Sequence, residues 1–323
     1  MVAVIGTERD DVVDDYHGVE VADPYRWLED PDSPRTRAWI DAQNRVTFDF
    51  LERIEARPAI RERLTRLWNY ERYGLPFKKG DRYFIFRNDG LQNQPVLYTM
   101  DSLDAELKPL LDPNSLSAEG TVALLSTSVS KDGRLVAYSL SRAGSDWQTW
   151  HVREVETGQD RPDRLEWSKF SSAAWTHDHA GFFYCRYPEP AFEGTESNYH
   201  QKLLYHRLGD VQAQDSLVYE RPDEKEWGWH PTVTEDGRHL VIQVFRGTET
   251  NSQVFYRDLE SSGPIVELIR GFDAAYTFVG SEGTRFWFLT DQAAPRGRVI
   301  AVDLRSPERG NWTEVIPESG DKL

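Results

Sequence analysis

Apolar and polar residues alternate at period two through most of this chain, in short runs broken by tight turns. Residues 128–150 show the unit most clearly. A polar turn, Ser130-Lys131-Asp132-Gly133, leads into Leu135, Val136, Ala137, Tyr138 and Leu140; a second turn, Gly144-Ser145-Asp146, precedes a strand starting at Trp147. Asp-Gly between hydrophobic runs signals a hairpin, because glycine accepts positive φ without steric cost. Alternating Val, Tyr and Leu suit a strand packed on both faces.

The same unit recurs from about Tyr73 onward. A first copy has strands predicted at 82–86, 96–100 and 107–111, and the second is the stretch just described, continued by 150–155 and 164–170. A third has 181–184, 203–206 and 216–219; a fourth 240–245, 254–259 and 265–269; a fifth 278–283, 286–290, 299–304 and 312–316. The turn glycines Gly80, Gly133, Gly181, Gly237 and Gly283 stand 53, 48, 56 and 46 residues apart. A period near 50 with about four strands per repeat is the signature of a β-propeller blade. The pattern predicts a mainly β chain, with about five four-stranded blades over 73–323.

Residues 1–72 follow a different rule. The first 32 are acidic and irregular, with an aromatic patch at Asp23-Pro24-Tyr25-Arg26-Trp27-Leu28-Glu29-Asp30. Ser33-Pro34 is a good helix start, with Ser as cap and Pro at the first helical position. Trp39, Val46, Phe50 and Ile54 then fall on one helical face. Arg57-Pro58 breaks this helix and begins another, whose stripe is Ile60, Leu64, Leu67 and Trp68. Nothing later in the chain is helical enough to cover these stripes. This helical segment cannot supply the strand that closes a five-bladed ring, so the blades read as an incomplete propeller.

Composition narrows the function classes. The chain has 323 residues, 39% hydrophobic and 12% aromatic, enough for a large core. A net charge of −16 excludes nucleic acid and anionic membrane as main partners, since both demand basic patches. A single cysteine, Cys185, cannot form an internal disulfide. With no basic, apolar leader at the N-terminus, a reducing, cytoplasmic setting is the expectation.

The chain carries no G-x-S-x-G elbow, Walker loop, G-x-G-x-x-G or H-E-x-x-H motif. His177-Asp178-His179 falls at the turn of the third repeat and reads as a solvated turn rather than a metal site. His200 and His206 lack partners at ligand spacing and read the same way. No metal or cofactor is expected. Asp146, beside Trp147, either caps its own turn or offers a carboxylate to a cationic amine.

Longer motifs carry a resemblance. Asp15-Tyr16-His17-Gly18 with Asp23-Pro24-Tyr25-Arg26-Trp27-Leu28-Glu29 resembles the N-terminal signature of the prolyl oligopeptidase family. So do Asn88-Asp89-Gly90-Leu91-Gln92-Asn93-Gln94, Gly144-Ser145-Asp146-Trp147, Lys169-Phe170-Ser171 and Ala174-Trp175-Thr176-His177-Asp178. The resemblance implies a serine peptidase in which a seven-bladed propeller caps an α/β-hydrolase domain. That enzyme cleaves short peptides after proline with a Ser-His-Asp triad. The triad belongs to the C-terminal part of the family's chain, so the sequence is expected to stop ahead of the nucleophile and to hydrolyse nothing by itself. No catalytic residue is assigned to it.

The resemblance implies two substrate-binding residues, Phe170 and Asp146, and a third candidate, Arg246, one position out of register with the family's arginine. Trp227-Gly228-Trp229 departs from the family pattern. The implied partners are proline-containing peptides and the C-terminal hydrolase domain of the same polypeptide, against which residues 1–72 would pack. Two rivals stand beside this reading: a non-catalytic propeller that binds a peptide or protein, and a five-bladed glycoside-acting enzyme with two carboxylates in its bore.

Overall fold

A computed structural model describes residues 5–190, 198–261 and 263–323. The described chain divides into two compact units, one up to Tyr70 and one from Glu71 onward. The smaller unit opens with a hairpin, β1 (Val13–Tyr16) and β2 (Val19–Ala22). The sequence pattern hides it in an irregular acidic stretch. Its two-residue turn places His17 at φ 56° and Gly18 at φ 90°, the left-handed pair a tight hairpin requires. Arg26 ties the hairpin to the aromatic patch by pairing with Asp14 and Asp23.

Helices α1 (Pro34–Glu52) and α2 (Arg57–Trp68) follow. Ser33 caps α1 by accepting the Thr36 amide at 3.2 Å. Arg35 stacks on Trp27 at 4.1 Å and pairs with Asp10 at 2.8 Å, fixing the helix start to the preceding segment. Of the predicted apolar stripes, Phe50, Ile60, Leu64, Leu67 and Trp68 are exposed by half or more, whereas Trp39 is partly buried and meets the Trp27 ring edge-on.

The larger unit is five sheets built as propeller blades. In blades 2 to 5 four antiparallel strands run in chain order from the inner to the outer edge. Blade 2 comprises Val122–Val129, Leu135–Arg142, Gln148–Glu154 and Asp160–Ser168. Its inner strand is missing from the sequence pattern, because Val122–Val129 (VALLSTSV) does not alternate cleanly. Blade 3 comprises Ala174–Trp175, Gly181–Arg186, Lys202–Arg207 and Ser216–Tyr219. Blade 4 comprises Trp227–Val233, His239–Arg246, Gln253–Asp258 and Val266–Ile269. Blade 5 comprises Tyr276–Glu282, Arg285–Thr290, Arg298–Asp303 and Thr313–Ile316. In blade 1 the inner edge is split into Arg72–Tyr73 and Phe77–Lys79, both paired to Arg82–Asn88.

One turn recurs between inner and second strands. In Ser130-x-Asp132, Thr176-x-Asp178 and Thr234-x-Asp236 the hydroxyl donates to the aspartate at 2.6 Å. The same carboxylate accepts the amide two residues on, at 3.1 Å. The next residue must be left-handed: Gly133 in blade 2 and Gly237 in blade 4, but His179 (φ 55°) in blade 3. The expected turn glycine of that blade, Gly181, instead begins the second strand, where a side chain would strike the His206 carbonyl and the Tyr205 ring.

The core consists of four layers between successive blades rather than one centre. Trp150, Phe182 and Tyr184 fill the layer between blades 2 and 3; Cys185, Trp229 and Phe255 fill the next. Each large side chain so buried contributes roughly 1.5–3 kcal/mol. Tryptophan N–H groups stitch neighbouring blades together: Trp175 donates to the Ser128 carbonyl at 2.9 Å and Trp229 to the Gln201 carbonyl at 2.8 Å. Buried polar groups need such partners.

Candidate functional site

Strand order dictates which loops share a face. Turns after the first and third strands of each blade lie on one side of the propeller. Loops after the second strand, and links to the next blade, lie on the other. Asp146 follows the second strand of blade 2, Phe170 lies in the link from blade 2 to blade 3, and Arg246 ends the second strand of blade 4. All three candidates therefore belong to one face.

Phe170 is held in a strained, specific way. Its φ is 51° and its ring is half exposed. A bulky residue adopts the left-handed region only when its surroundings impose it. Here the serines flanking Lys169-Phe170 both clip onto Cys185: Ser168 Oγ donates to its carbonyl at 2.6 Å, and its N–H donates to Ser171 Oγ at 2.8 Å. The Cys185 thiol is fully buried, donates to the Trp229 carbonyl at 3.0 Å, and is pushed up in pKa by burial. A thiol so placed is a structural group rather than a nucleophile.

Asp146 is exposed, in the turn whose next residue is Trp147. Trp147 meets the edge of Trp167 (centroids 5.6 Å apart) and Tyr187 (6.5 Å), and the Lys169 ammonium sits 3.9 Å over its ring. Asp146 and Phe170 are thus neighbours through the Trp147–Lys169 contact. The sequence shows the same residues only as separate motifs.

Arg246 belongs to a second cluster, two blades on. Its guanidinium lies 4.6 Å from the Phe272 ring and makes two 2.8 Å hydrogen bonds to Glu249. Trp227 packs edge-on against Phe272, and Arg221 stacks over Trp227 at 4.8 Å. Gly228, in the divergent Trp227-Gly228-Trp229 stretch, gives room to the ring of Phe245, its partner in register. On the same pair of strands Arg246 stands opposite Trp227 in register.

On the opposite face, a cavity of about 280 Å³ opens among the inner strands of blades 2 to 4, with Lys79, Lys131, His177 and Glu235 around it. Lys131 reaches past blade 3 to pair with Glu235 of blade 4 and also donates to its carbonyl at 3.2 Å. Glu235 is the sole carboxylate in that lining, so the two-acid arrangement of a glycosidase is not found there. His177 and His179 do not converge on a metal: among the described residues no three potential ligands gather.

His206 corrects the reading of a solvated turn. It lies on a strand, fully buried, with Nδ1 2.7 Å from Asp215 and Nε2 3.1 Å from Asp163. Burial opposes its charge, but the two carboxylate hydrogen bonds win and lift its pKa to about 9.

Comparison with known proteins places the chain. Residues 6–323 match the family model described as prolyl oligopeptidase, N-terminal beta-propeller domain. The prolyl endopeptidase of Elizabethkingia meningoseptica is 35% identical over 98% of this chain and 45% of its own length. That of Dictyostelium discoideum is 31% identical over 98% and 49%. Among solved structures, a prolyl endopeptidase superposes with a TM-score of 0.88 at 32% identity, covering 98% of this chain and 47% of that one. Prolyl oligopeptidase B from Galerina marginata, bound to a 25mer macrocyclization substrate, gives 0.85 at 27% identity, covering 99% and 48%. The chain thus spans about half the length of the relatives it matches. It belongs to the prolyl oligopeptidase family, as that family's N-terminal β-propeller domain.

Proposed function

We propose that the full-length protein is a proline-specific serine endopeptidase of the cytoplasm acting on short peptides. In this reading the propeller limits access to the catalytic centre and contributes substrate contacts. The Ser-His-Asp triad lies in a C-terminal α/β-hydrolase domain of the same polypeptide, and cleavage proceeds by acyl transfer through a serine ester. Residues 1–72 pack on that domain, for which the exposed apolar side chains of α1 and α2, Phe50, Ile60, Leu64 and Leu67 among them, are suited. Phe170 stacks on the peptide upstream of its proline, Asp146 receives the peptide's cationic N-terminal side, and Arg246 is the weaker third contact because Glu249 already engages it.

The observation that carries the reading is the Phe170 turn. A half-exposed aromatic ring, held left-handed by two clips to a buried strand, is presented rather than packed. The test is cleavage of peptides with one internal proline by the full-length protein. Cleavage after proline is expected, with Phe170→Ala raising KM about 10- to 100-fold, the equivalent of losing roughly 1.5–3 kcal/mol of aromatic burial. Cleavage indifferent to proline, or an unchanged KM, would overturn it.

A further inference from the structure

We propose that Lys169 is a positioning residue: its ammonium, held against Trp147, locks the turn carrying Asp146 to the turn carrying Phe170. The two turns then act as one substrate-facing unit. The inference rests on the reading of Phe170 and Asp146 as peptide contacts, and adds a residue that contributes through them.

Lys169 is only 7% exposed. Burying an ammonium is costly unless specific partners replace its water. Among the described residues those partners are the Trp147 ring at 3.9 Å and Asn198 Oδ1 at 3.4 Å, not a carboxylate. An apolar side chain would fill the same space without the desolvation cost, so the cation's contribution is the directed contact with the indole face. Both ends of that contact are fixed. Trp147 is walled by Trp167 and Tyr187. On the other side, the Lys169 carbonyl accepts from Gln201 Nε2 at 3.2 Å, and buried Gln201 in turn accepts the Trp229 amide at 2.7 Å. Between fixed ends, one cation–ring contact couples a loop of blade 2 to the link that enters blade 3. Phe170 is the next residue along that link, and Asp146 is the residue before Trp147.

The experiment uses the full-length protein with 4-fluorophenylalanine placed at position 170. Lys169→Met keeps the stem and removes the charge; Lys169→Arg restores a cation that can stack. For Lys169→Met the fluorine resonance should change from one sharp line to a broadened or split one. KM for a peptide extended upstream of proline should rise about tenfold with kcat unchanged, the size expected from losing a desolvated cation–ring contact. Lys169→Arg should recover both. If Lys169→Met does not fold, Trp147→Leu reads the same contact from its other side. A sharp, unshifted line in these variants overturns the positioning role, as does an unchanged KM when Phe170→Ala raises it. A broadened line with KM insensitive to Phe170→Ala upholds the coupling and overturns the substrate-contact reading beneath it.

Discussion

The imidazole of His206 sits 3.1 Å from the carboxylate of Asp163, joining the third strand of blade 3 to the outer strand of blade 2 inside the protein. Asp215 holds the other ring nitrogen at 2.7 Å and also accepts the Tyr184 hydroxyl at 2.6 Å, while the Gly209 amide donates to Asp163 at 2.5 Å. The group is a buried ionic clip between adjacent blades. Removing one member leaves uncompensated charge, which costs about 3–5 kcal/mol. His206→Leu should lose that much, read as a lower urea midpoint.

The same clip sets a pH window. His206 titrates near 9, above its ordinary 6.5, so its stabilisation is complete below 6.5 and is lost as pH rises through about 9. Asp163 moves the opposite way. Burial alone raises its pKa, but the hydrogen bonds from His206 and Gly209 outweigh that and lower it. Its contribution is present above the ordinary 3.8 and fades as pH falls through the lowered value. Unfolding free energy should therefore decline on the alkaline side in the wild type, and the part of that decline due to His206 should be missing in His206→Leu. An alkaline limb identical in both proteins would remove His206 from the account.

Two glycines with the same backbone sign should respond differently to alanine. Gly133 and Gly144 have φ of 74° and 76°. A side chain at Gly133 would strike the Lys79 carbonyl of blade 1, whereas nothing approaches one at Gly144. Both substitutions incur the left-handed penalty of about 1 kcal/mol. Gly133→Ala adds a backbone clash at the blade 1–2 interface, where Gly80 N–H donates to the Lys131 carbonyl at 3.0 Å. A thermal midpoint clearly lower for Gly133→Ala than for Gly144→Ala is expected; equal shifts would mean the blades do not nest there.

The helices carry exposed apolar side chains of their own. Ile60, Leu64, Leu67 and Trp68 on α2 are 50–63% exposed. A chain of residues 1–323 should bind a hydrophobic dye, and Leu64→Ser with Trp68→Ser should abolish most of the signal. Dye binding unaffected by these changes would place the apolar surface elsewhere.

The blades were legible because their turns are local: Ser/Thr-x-Asp and a left-handed residue occupy four consecutive positions, and the period repeats. Where another residue type takes the left-handed position, as His179 does, a glycine count slips by two. The inner strand Val122–Val129 escaped because its register on the second strand shifts between Leu124 and Ser126, which breaks the alternation. The His206 clip is invisible in sequence, since Asp163 stands 43 positions away and pairs through the propeller geometry alone. Phe170 and Asp146 were legible as motifs. Their connection through Lys169 and Trp147 was not, because it depends on two loops from different strands meeting on one face.

The central claim is that the face bearing Phe170 and Asp146 is the one that meets peptide. Photo-crosslinking tests it most directly, with a benzophenone amino acid at position 170 of the full-length protein, or at position 156 on the opposite face, and a proline-containing peptide as ligand. Capture from position 170 and not from position 156 is the predicted result. Capture from 156 alone, or from neither, would contradict it.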